Sequence, residues 1–433
     1  MSFKISEICE INKNNITKRD ELKHIYYLDT ANLTEGIISE LKYLEVGKDK
    51  IPSRAKRKVF KKDIVISTVR PNQKHYGIIR ENKENLIVST GFAVLTPYTN
   101  IVDPEYLYRY LTQDKITKYL QGVAETSTSA YPSIKPSVIG ELEIELPDIE
   151  EQKFIANILS SLDEKIETNN TINQKLEEMT QAIFKQWFVD FEFPNEEGKP
   201  YKSSGGAMVE SELGIIPEGW TVNKLKDVID FYNGYAFKSK DLLGEEIDDC
   251  YHVFKMGHIK KGGGLNKDAT KSYIARTDCL DLDKYVLQTG DLLMCMTDMK
   301  SNVALLGHTA LMDEDGKYIL NQRVGLLRVK NKAKIDYPFL YILTNTSRFI
   351  EDLRSRANSG VQVNLSTKEI KESLIVVPDE EIHSKFNKVG LNIFKKVFST
   401  QKENENLQRV RDILLPKLMS GEICLPIEEE VCN

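Results

Sequence analysis

The feature that most constrains the fold is an internal repeat whose two copies lie 231 positions apart, as Pro147 and Pro378 do. The first copy begins at Leu146 and reads LPDIEEQKFIANILSSLDEKIETNNTINQKLEEMTQAIFKQWF. The second begins at Val377 and reads VPDEEIHSKFNKVGLNIFKKVFSTQKENENLQRVRDILLPKLM. The register holds without a gap. Such a repeat predicts two copies of one architecture, and 433 residues exceed the usual size of a single core.

Each copy carries a stripe spaced in alternating steps of four and three, the spacing of a coiled-coil seam. We call these residues the helix seam: Ile155, Leu159, Leu162, Ile166, Asn169, Asn173, Leu176, Thr180, Ile183 and Trp187, then Phe386, Gly390, Ile393, Val397, Thr400, Asn404, Leu407, Arg411, Leu414 and Leu418. Both stripes turn polar at their midpoint, which an antiparallel pair would bring together. The pattern predicts two long antiparallel helices within one chain. The alternative is two unrelated surface helices, each packed on its own domain.

The segments before each predicted helix also match. Each combines a β-rich run with a short amphipathic segment, VDPEYLYRYLTQDKITKYLQG in the first half and IDYPFLYILTNTSRFIEDLRS in the second. We expect a domain at 1–147, a helix at 148–194, an exposed linker at 195–214, a second domain at 215–377, a second helix at 378–420 and a tail at 421–433. Asp148 with Glu151 has capping-box spacing, and Pro416 is expected to end or bend the second helix.

No sequence motif for catalysis is present. The chain lacks a GxGxxG dinucleotide loop, a GxxxxGK[ST] phosphate loop, an HExxH metal helix and the (Asp/Asn/Ser)-Pro-Pro-aromatic turn of adenine methyltransferases. Cys250, His252 and His258 are close in sequence, but no fourth ligand is nearby, so we expect no metal site. The six cysteines form no CxxC pair, which favours reduced and mostly buried thiols. The sequence therefore predicts a chain without a catalytic centre of its own.

The basic residues are the candidates for contact with nucleic acid, although the net charge is −6. The densest run precedes a strand-like segment, DIVISTVRP, so its side chains could share one face; the alternative is an ordinary solvated surface. The candidates in the first half are Arg54, Lys56, Arg57, Lys58, Arg70, Lys74 and Lys135. Those in the second half are Lys238, Lys240, Lys260, Lys261, Lys300 and Arg323.

The sequence resembles the specificity subunits of type I restriction-modification systems along nearly its whole length. Three segments carry the resemblance: LPDIEEQKFIANILSSLDEKI, SELGIIPEGWTVNKL and IPSRAKRKVFKKDIVISTVRPN. Two departures stand out. The first half starts almost directly at KISEICEI, so its domain is expected to be trimmed at the edge. In the second helix, Glu381-Ile382-His383 replaces the family-like Glu-Gln pair.

The resemblance implies an α+β fold with two α/β target recognition domains in a pseudo-twofold repeat, joined by two long antiparallel coiled-coil helices. It implies that each domain reads one half of a bipartite site in double-stranded DNA, and that the helices set the gap and hold two methyltransferase subunits. A motor-nuclease subunit can join such complexes. S-adenosylmethionine would belong to the methyltransferase partners, and ATP with Mg to the motor, with no cofactor in this chain.

Two other functions remain open from the sequence: a self-contained methyltransferase-nuclease, and a coiled-coil adaptor without a role on DNA. The N-terminus lacks the apolar core of a signal peptide, and no apolar run approaches the ~18 residues of a membrane helix. We therefore expect a cytoplasmic protein that does not act at a membrane.

Overall fold

The computed structural model describes residues 2–17, 19–127, 131–299, 303–332, 334–359 and 362–423. The chain forms two compact units: unit 1 is Met1–Thr168 with Glu403–Asn433, and unit 2 is Asn169–Lys402. Each unit therefore contains part of each long helix. Most of the expected tail at 421–433 lies outside the described residues.

Unit 1 begins with short strands and short helices. The strands are Ser2–Lys4 (β1), Cys9–Ile11 (β2), His24–Leu28 (β3), Leu33–Thr34 (β4), Ile37–Ile38 (β5), Lys42–Glu45 (β6), Ala55–Lys58 (β7), Ile64–Ser67 (β8), Tyr76–Ile78 (β9), Leu86–Ser89 (β10), Phe92–Pro97 (β11) and Glu143–Glu145 (β12). The helices are Ile5–Ile8 (α1), Pro104–Leu111 (α2), Asp114–Glu125 (α3) and Pro136–Gly140 (α4).

Two four-stranded sheets form the body of unit 1, in the orders β2-β11-β8-β9 and β6-β3-β10-β7. All pairs are antiparallel except β3 with β10. Every residue of β8 and β10 is buried, which explains why IVIS and LIVS read as continuous rather than alternating apolar runs.

The first long helix, α5, runs from Ile149 to Phe184 and continues as a π-helical turn, Lys185–Val189. Asp148 caps it, because its Oδ1 accepts the N–H groups of Glu150 at 3.0 Å and Glu151 at 2.9 Å. The sequence predicted this helix start.

Unit 2 contains the remaining elements. Its strands are Met208–Ser211 (β13), Gly214–Pro217 (β14), Thr221–Lys224 (β15), Ile229–Asn233 (β16), Cys250–Phe254 (β17), Tyr273–Ala275 (β18), Leu292–Cys295 (β19), Thr297–Met299 (β20), Thr309–Leu311 (β21), Tyr318–Leu320 (β22), Val324–Val329 (β23), Asn358–Ser359 (β24), Gln362–Asn364 (β25) and Leu374–Val377 (β26). Its helices are Leu225–Val228 (α6), Tyr337–Thr344 (α7), Ser347–Ser355 (α8) and Thr367–Lys371 (α9). The second long helix α10, Glu380–Met419, follows, and its residues from Glu403 onwards belong to unit 1.

The predicted repeat is confirmed by strand order. Unit 2 has a sheet β16-β23-β19-β21, the same order as β2-β11-β8-β9, and a parallel pair β17-β22 that corresponds to β3-β10. Both units also start alike: β1 pairs with β12, and β15 pairs with β26, each antiparallel. Ile5 donates to the carbonyl of Leu142 at 2.9 Å, as Leu225 does to Ser373 at 2.8 Å. Strand β1 thus corresponds to β15, and the described part of unit 1 has no counterpart of the hairpin β13–β14.

The segment expected to be an exposed linker, 195–214, contains defined structure. Its last residues enter an antiparallel hairpin of β13 and β14. Before the hairpin, Tyr201 stacks on Phe193 with ring centroids 4.5 Å apart, and Phe193 stacks on Trp220 at 5.1 Å. Most side chains of the segment are exposed, but these aromatic contacts fasten its start to the core of unit 2.

The two long helices pack on each other in both units, with the start of one beside the end of the other, so the predicted long helix pair is confirmed. In unit 2 the contact is aromatic. The ring of Phe188 lies 5.0 Å from Phe386 and 4.8 Å from Phe339 of α7, and Phe184 lies 6.0 Å from Phe386. The buried residues are Phe184 and Phe188, whereas the seam residues Ile183 and Trp187 are only partly buried.

In unit 1 the two helices also form an ionic contact. Asp163 of α5 forms ion pairs with Arg109 of α2 and with Arg411 of α10, the latter at 2.8 Å. Apolar packing flanks the pair, since Leu159 and Leu418 are buried in one core cluster with Leu414 against it. Helix α10 continues through Pro416 for three residues, so this proline does not end the helix.

The polar seam residues are buried, and the remaining seam residues are buried or half-buried. Asn169, Asn173, Thr400 and Asn404 are each at most 7% exposed.

No helix in the described part of the chain is long and apolar enough to cross a membrane.

Candidate nucleic-acid interface

Four segments of the chain meet at one end of the sheets of unit 1. The residues after β8, the turn between β10 and β11, the start of β7 and the segment before α4 meet there. Thr68 donates to the carbonyl of Gly91 at 2.8 Å, and Thr90 donates to the carbonyl of Arg54, also at 2.8 Å. Ile134 donates to Thr68 at 2.8 Å. We call this region sheet end 1.

Two of the predicted basic residues belong to sheet end 1. Arg54 and Arg70 are both exposed. The N–H of Arg70 donates to the carbonyl of Pro132 at 2.9 Å, and its guanidinium lies 5.0 Å from the ring centre of Tyr131. Arg70 and Lys74 both have left-handed backbones, with φ of 48° and 54°, around the 3-10 turn Pro71–Gln73. Non-glycine residues with positive φ are uncommon and gather at functional loops.

Three predicted basic residues are engaged within unit 1 instead. Lys58 forms an ion pair with Asp20, and Arg57 donates to the side-chain oxygen of Asn12. Lys74 lies between Glu35 at 3.0 Å and Asp114 at 3.1 Å. Partial burial lowers its pKa, but the hydrogen bonds and charges of the two carboxylates raise it overall. These three charges are partly neutralised or half-buried, which reduces what they could offer to a phosphate backbone.

Lys56 and Lys135 are exposed and occupy other positions near the same surface. Lys56 is the second residue of β7, with its carbonyl bonded to Ile16 at 2.7 Å. Lys135 is the N-cap residue of α4, directly after Ile134. The structure therefore brings Arg54 and Arg70 to one sheet end and distributes the other first-half candidates along its margin.

Unit 2 has an equivalent sheet end, with the same hydrogen bonds between corresponding residues. Met296 takes the place of Thr68: its N–H donates to the carbonyl of Arg323 at 3.3 Å, and its carbonyl accepts from Leu365 at 2.9 Å. We call this region sheet end 2. Arg323 is exposed there.

The other second-half candidates lie elsewhere or adjoin this region. The chain leaves sheet end 2 at Tyr235, whose carbonyl accepts from Gln322 at 2.9 Å, and then exposes Lys238 and Lys240 around a 3-10 turn. Lys260 and Lys261 belong to a tight turn next to α5. Burial raises the pKa of Glu177 on α5, and the nearby positive charge of Lys260 partly offsets this rise. Lys300 lies outside the described residues.

Sequence reasoning missed the polar residues of a small three-stranded sheet, β20-β25-β24, at sheet end 2. Gln362 and Asn364 of β25 are exposed while Val363 between them is buried. Such amides are candidates for contact with base edges. The alternation of polar and apolar residues in QVNL was the available signal, but a strand of three residues is too short to be recognised by its pattern.

The replacement of the Glu-Gln pair in the second helix has a structural explanation. Gln152 Oε1 accepts the N–H of Asp103 at 2.9 Å, and His383 Nε2 accepts the N–H of Asp336 at 3.1 Å. Asp103 and Asp336 are the N-cap residues of α2 and α7. Gln152 and His383 are each 1% exposed, so both fasten a long helix to its own domain.

The histidines considered as metal ligands form a buried pair. The Nε2 atoms of His252 and His258 are 3.2 Å apart, so one ring donates and the other accepts. Burial lowers the pKa of His252 to about 4 and also lowers that of His258. Within the described residues, no three His, Cys, Asp or Glu side chains are grouped as a metal site requires.

The long helices also expose apolar side chains away from the cores. These are Phe154, Val410 and Ile413 in unit 1, and Ile172, Met179 and Val389 in unit 2. Met179 and Val410 are related by the 231-residue offset of the repeat. Contiguous exposed apolar patches are typical of surfaces that bind another protein, whereas single exposed apolar residues are common on any protein surface.

Comparison with known proteins identifies a family. A family model described as the type I restriction modification DNA specificity domain matches residues 1–178 and 217–411. The chain is 27% identical to the type I restriction enzyme HindI specificity subunit of Haemophilus influenzae, over 94% of this chain and 97% of that protein. It is 31% identical to the putative type I restriction enzyme MjaX specificity subunit of Methanocaldococcus jannaschii, over 97% of this chain and 92% of that protein.

A solved structure agrees at the level of the fold. The crystal structure of the S subunit of a type I restriction-modification system from M. genitalium has a TM-score of 0.54 to this chain, with 18% identity over 96% of this chain and 95% of the other. At this identity the likeness supports a shared fold.

Proposed function

Because the chain belongs to the family of type I restriction-modification DNA specificity subunits, we propose that it reads a bipartite DNA sequence, one half with each sheet end. The observation that carries the proposal is the repeated framework with dissimilar side chains. Thr68, Gly91 and Ile134 in unit 1 have the same hydrogen bonds as Met296, Arg323 and Leu365 in unit 2. A shared frame with different surfaces suits two domains that read different sequences.

The chemistry of the two sheet ends supports this proposal. Phosphate contacts come from exposed basic and hydroxyl groups, and bases are read by arginine and amide side chains in the major groove. Sheet end 1 offers Arg54 and Arg70, and sheet end 2 offers Arg323 with the amides of β25. Lys56, Lys135, Lys238 and Lys240 are proposed to contact the backbone, whereas Arg57, Lys58 and Lys74 are proposed to act mainly within the fold.

We propose that the exposed apolar residues of α5 and α10 hold methyltransferase subunits. One exposed apolar side chain recurs at matching repeat positions, as Val410 in unit 1 and Met179 in unit 2. Two equivalent surfaces fit two copies of one partner. The methyl transfer, with S-adenosylmethionine, and any ATP-dependent cleavage with Mg would then take place in partner chains, and this chain would be non-catalytic.

The test is the methylated sequence in the genome. The chain is co-expressed with its methyltransferase partner in a host without adenine methylation, and modified positions are mapped by single-molecule sequencing. We expect one gapped motif that requires both chains. A continuous motif, or methyl transfer by this chain alone, would contradict the proposal.

The spacer role has its own test. Removing 170–176 together with 401–407 deletes one heptad from each helix at matching repeat positions and shortens both by about 10 Å. We expect a gap shorter by about three base pairs, at ~3.4 Å per base pair, and unchanged half-sites. Changed half-sites with an unchanged gap would show that the helices do not set the spacing.

A further inference from the structure

The small sheet at sheet end 2 carries an inference that rests on the proposed function and deepens it. Strand β25 pairs with β20 on one side and β24 on the other, with Thr297 opposite Asn364 and Met299 opposite Gln362. Within this three-stranded sheet, β20 and β25 form an antiparallel ribbon, and a two-stranded ribbon fits the major groove of B-form DNA, which is about 12 Å wide. We call β20 and β25 together the amide ribbon.

The exposed face of the amide ribbon has a distinct composition. Gln362, Asn364 and Met299 are exposed, and Thr297 is half-buried. None of these side chains is ionic. The side-chain amide of Gln362 makes no hydrogen bond to any described residue, and that of Asn364 accepts from the Thr297 hydroxyl at 2.8 Å and donates only weakly, at 3.4 Å. Donor and acceptor groups are therefore available on this face.

The opposite face fastens the ribbon to unit 2. Val363 and Leu365 are buried in the core cluster, and Asp298 is 8% exposed. The carboxylate of Asp298 accepts the N–H groups of Met299 at 2.8 Å and Leu305 at 2.6 Å. Arg354 donates to the carbonyl of Leu306 at 3.0 Å. A rigid base lowers the ordering cost of binding, because the side chains are presented on a fixed backbone.

We propose that the amide ribbon reads A·T base pairs in the major groove, with Gln362 and Asn364 bonding adenine and Met299 contacting a thymine methyl group. Asparagine and glutamine form paired hydrogen bonds with the N6 and N7 groups of adenine, and apolar side chains contact the thymine C5-methyl group. Unit 1 has no such ribbon among its described residues: the corresponding contact is a single bridge between Val69 and Ser133, beside Arg70. The two half-sites are thus read by different chemistry.

The first experiment maps the methylated motif of the complex that contains Gln362→Ala or Asn364→Ala. We expect one or two A·T positions in one half-site to become degenerate, with discrimination reduced roughly ten- to hundredfold, and the other half-site to stay intact. Arg70→Ala should change recognition of the other half-site. Gln288→Ala is the matched control, because Gln288 is an exposed glutamine before the opposite end of β19.

The second experiment uses the wild-type complex, so it does not depend on how a variant folds. Each adenine of the half-site is replaced by 7-deazaadenine, which lacks the N7 acceptor, and binding is measured. Loss of one such bond should weaken wild-type binding about three- to tenfold, and should have no further effect on the alanine variant that removes its partner.

Three results would overturn the inference. These are an unchanged motif with uniformly weaker methylation, which indicates phosphate contacts; a change confined to G·C positions; and equal sensitivity of wild type and both variants to 7-deazaadenine. If the wild type itself methylates no gapped motif, the proposed function fails instead.

Discussion

The long helix pair follows one repeat, but it contains an aromatic cluster in unit 2 and a buried ionic contact in unit 1. In unit 2, Phe184, Phe188 and Phe386 form an aromatic cluster with Phe339. In unit 1, Asp163 holds Arg109 and Arg411. The position of Asp163 corresponds to Phe394 in the second copy, and that of Arg411 corresponds to Thr180 in the first.

The difference shows that the repeat conserves backbone geometry rather than the type of interaction. Aromatic packing gains free energy from apolar burial and is insensitive to salt. A partly buried ion pair gives little net stability, but loss of one partner leaves a buried charge without compensation. The two contacts should therefore respond differently to mutation.

The largest effect is expected for the aromatic end. Phe386→Ala removes a side chain that is 0% exposed, and we expect the free energy of unfolding to fall by about 4 kcal/mol. Phe154→Ala, on the exposed face of α5 in unit 1, is the control and should change it by less than about 0.5 kcal/mol. Equal effects in denaturant unfolding would indicate that the cluster does not hold the helix end.

Loss of the ionic contact in unit 1 should have a smaller effect. Asp163→Ala leaves Arg109, which is 8% exposed, without its carboxylate. We therefore expect the free energy of unfolding to fall by about 2 to 3 kcal/mol. This is below the range for fully buried pairs because Asp163 is partly exposed. Glu164→Ala, on the exposed side of the same helix, is the control. The loss should shrink only slightly at 1 M salt, because partly buried pairs are screened less than exposed ones; an equal loss in Glu164→Ala would contradict an ionic contact.

Acid should destabilise unit 2 through the histidine pair. The pKa of His252 in the folded chain is about 4, below the value near 6.5 of an unfolded histidine, so the unfolded chain binds the proton more readily. The contribution of His252 to the free energy of unfolding is complete above pH 6.5. As the pH falls from 6.5 towards 4, the free energy of unfolding should decrease by about 2 kcal/mol. In unit 1 the corresponding strand position is held by Tyr26.

The measurement is the urea midpoint of the wild type and of His252→Gln between pH 7 and pH 4.5. The variant should lose less stability over this interval. Parallel curves for the two proteins would show that the pair does not account for acid sensitivity.

The smallest effects are expected from single basic residues on binding to DNA. Arg54→Ala or Arg70→Ala should weaken binding by about 1 kcal/mol, and removal of a phosphate contact should reduce the salt slope by about one. Lys58→Ala, which removes a cation already paired with Asp20, should change neither quantity measurably. Binding titrations at several salt concentrations would decide this, and an equal effect of Lys58→Ala would mean that its ion pair opens on DNA.

Much of the fold could be predicted because its signals are local. The steps of three and four in the helix seam identify both long helices, and the constant offset between copies identifies the repeat. The exceptions have local causes that a heptad pattern does not contain. Phe184 and Phe188 enter the core rather than Ile183 and Trp187, because an α-helix with 3.6 residues per turn drifts away from a strict heptad stripe.

The candidate interface was predicted less well because charge in a sequence does not reveal its partners. Arg54 and Lys58 are four residues apart in one basic run, yet only Lys58 meets an acidic residue, Asp20. Arg411 interrupts an apolar stripe, and its partner Asp163 is 248 residues away. Gly390 at a seam position permits close approach of Pro338, since a Cβ there would lie 2.8 Å from the proline.

The sequence by itself determined that this chain has two matching halves, two long helices and no catalytic motif, because periodicity, repeats and motifs are properties of neighbouring residues. Only the tertiary structure decided which basic residues share a surface. It also decided that Gln152 and His383 accept equivalent hydrogen bonds from helix N-cap residues. The position of Gln362 and Asn364 on a ribbon beside Arg323 was likewise visible only in the fold. Those facts depend on contacts between residues far apart in the chain, whose formation is set by packing rather than by spacing.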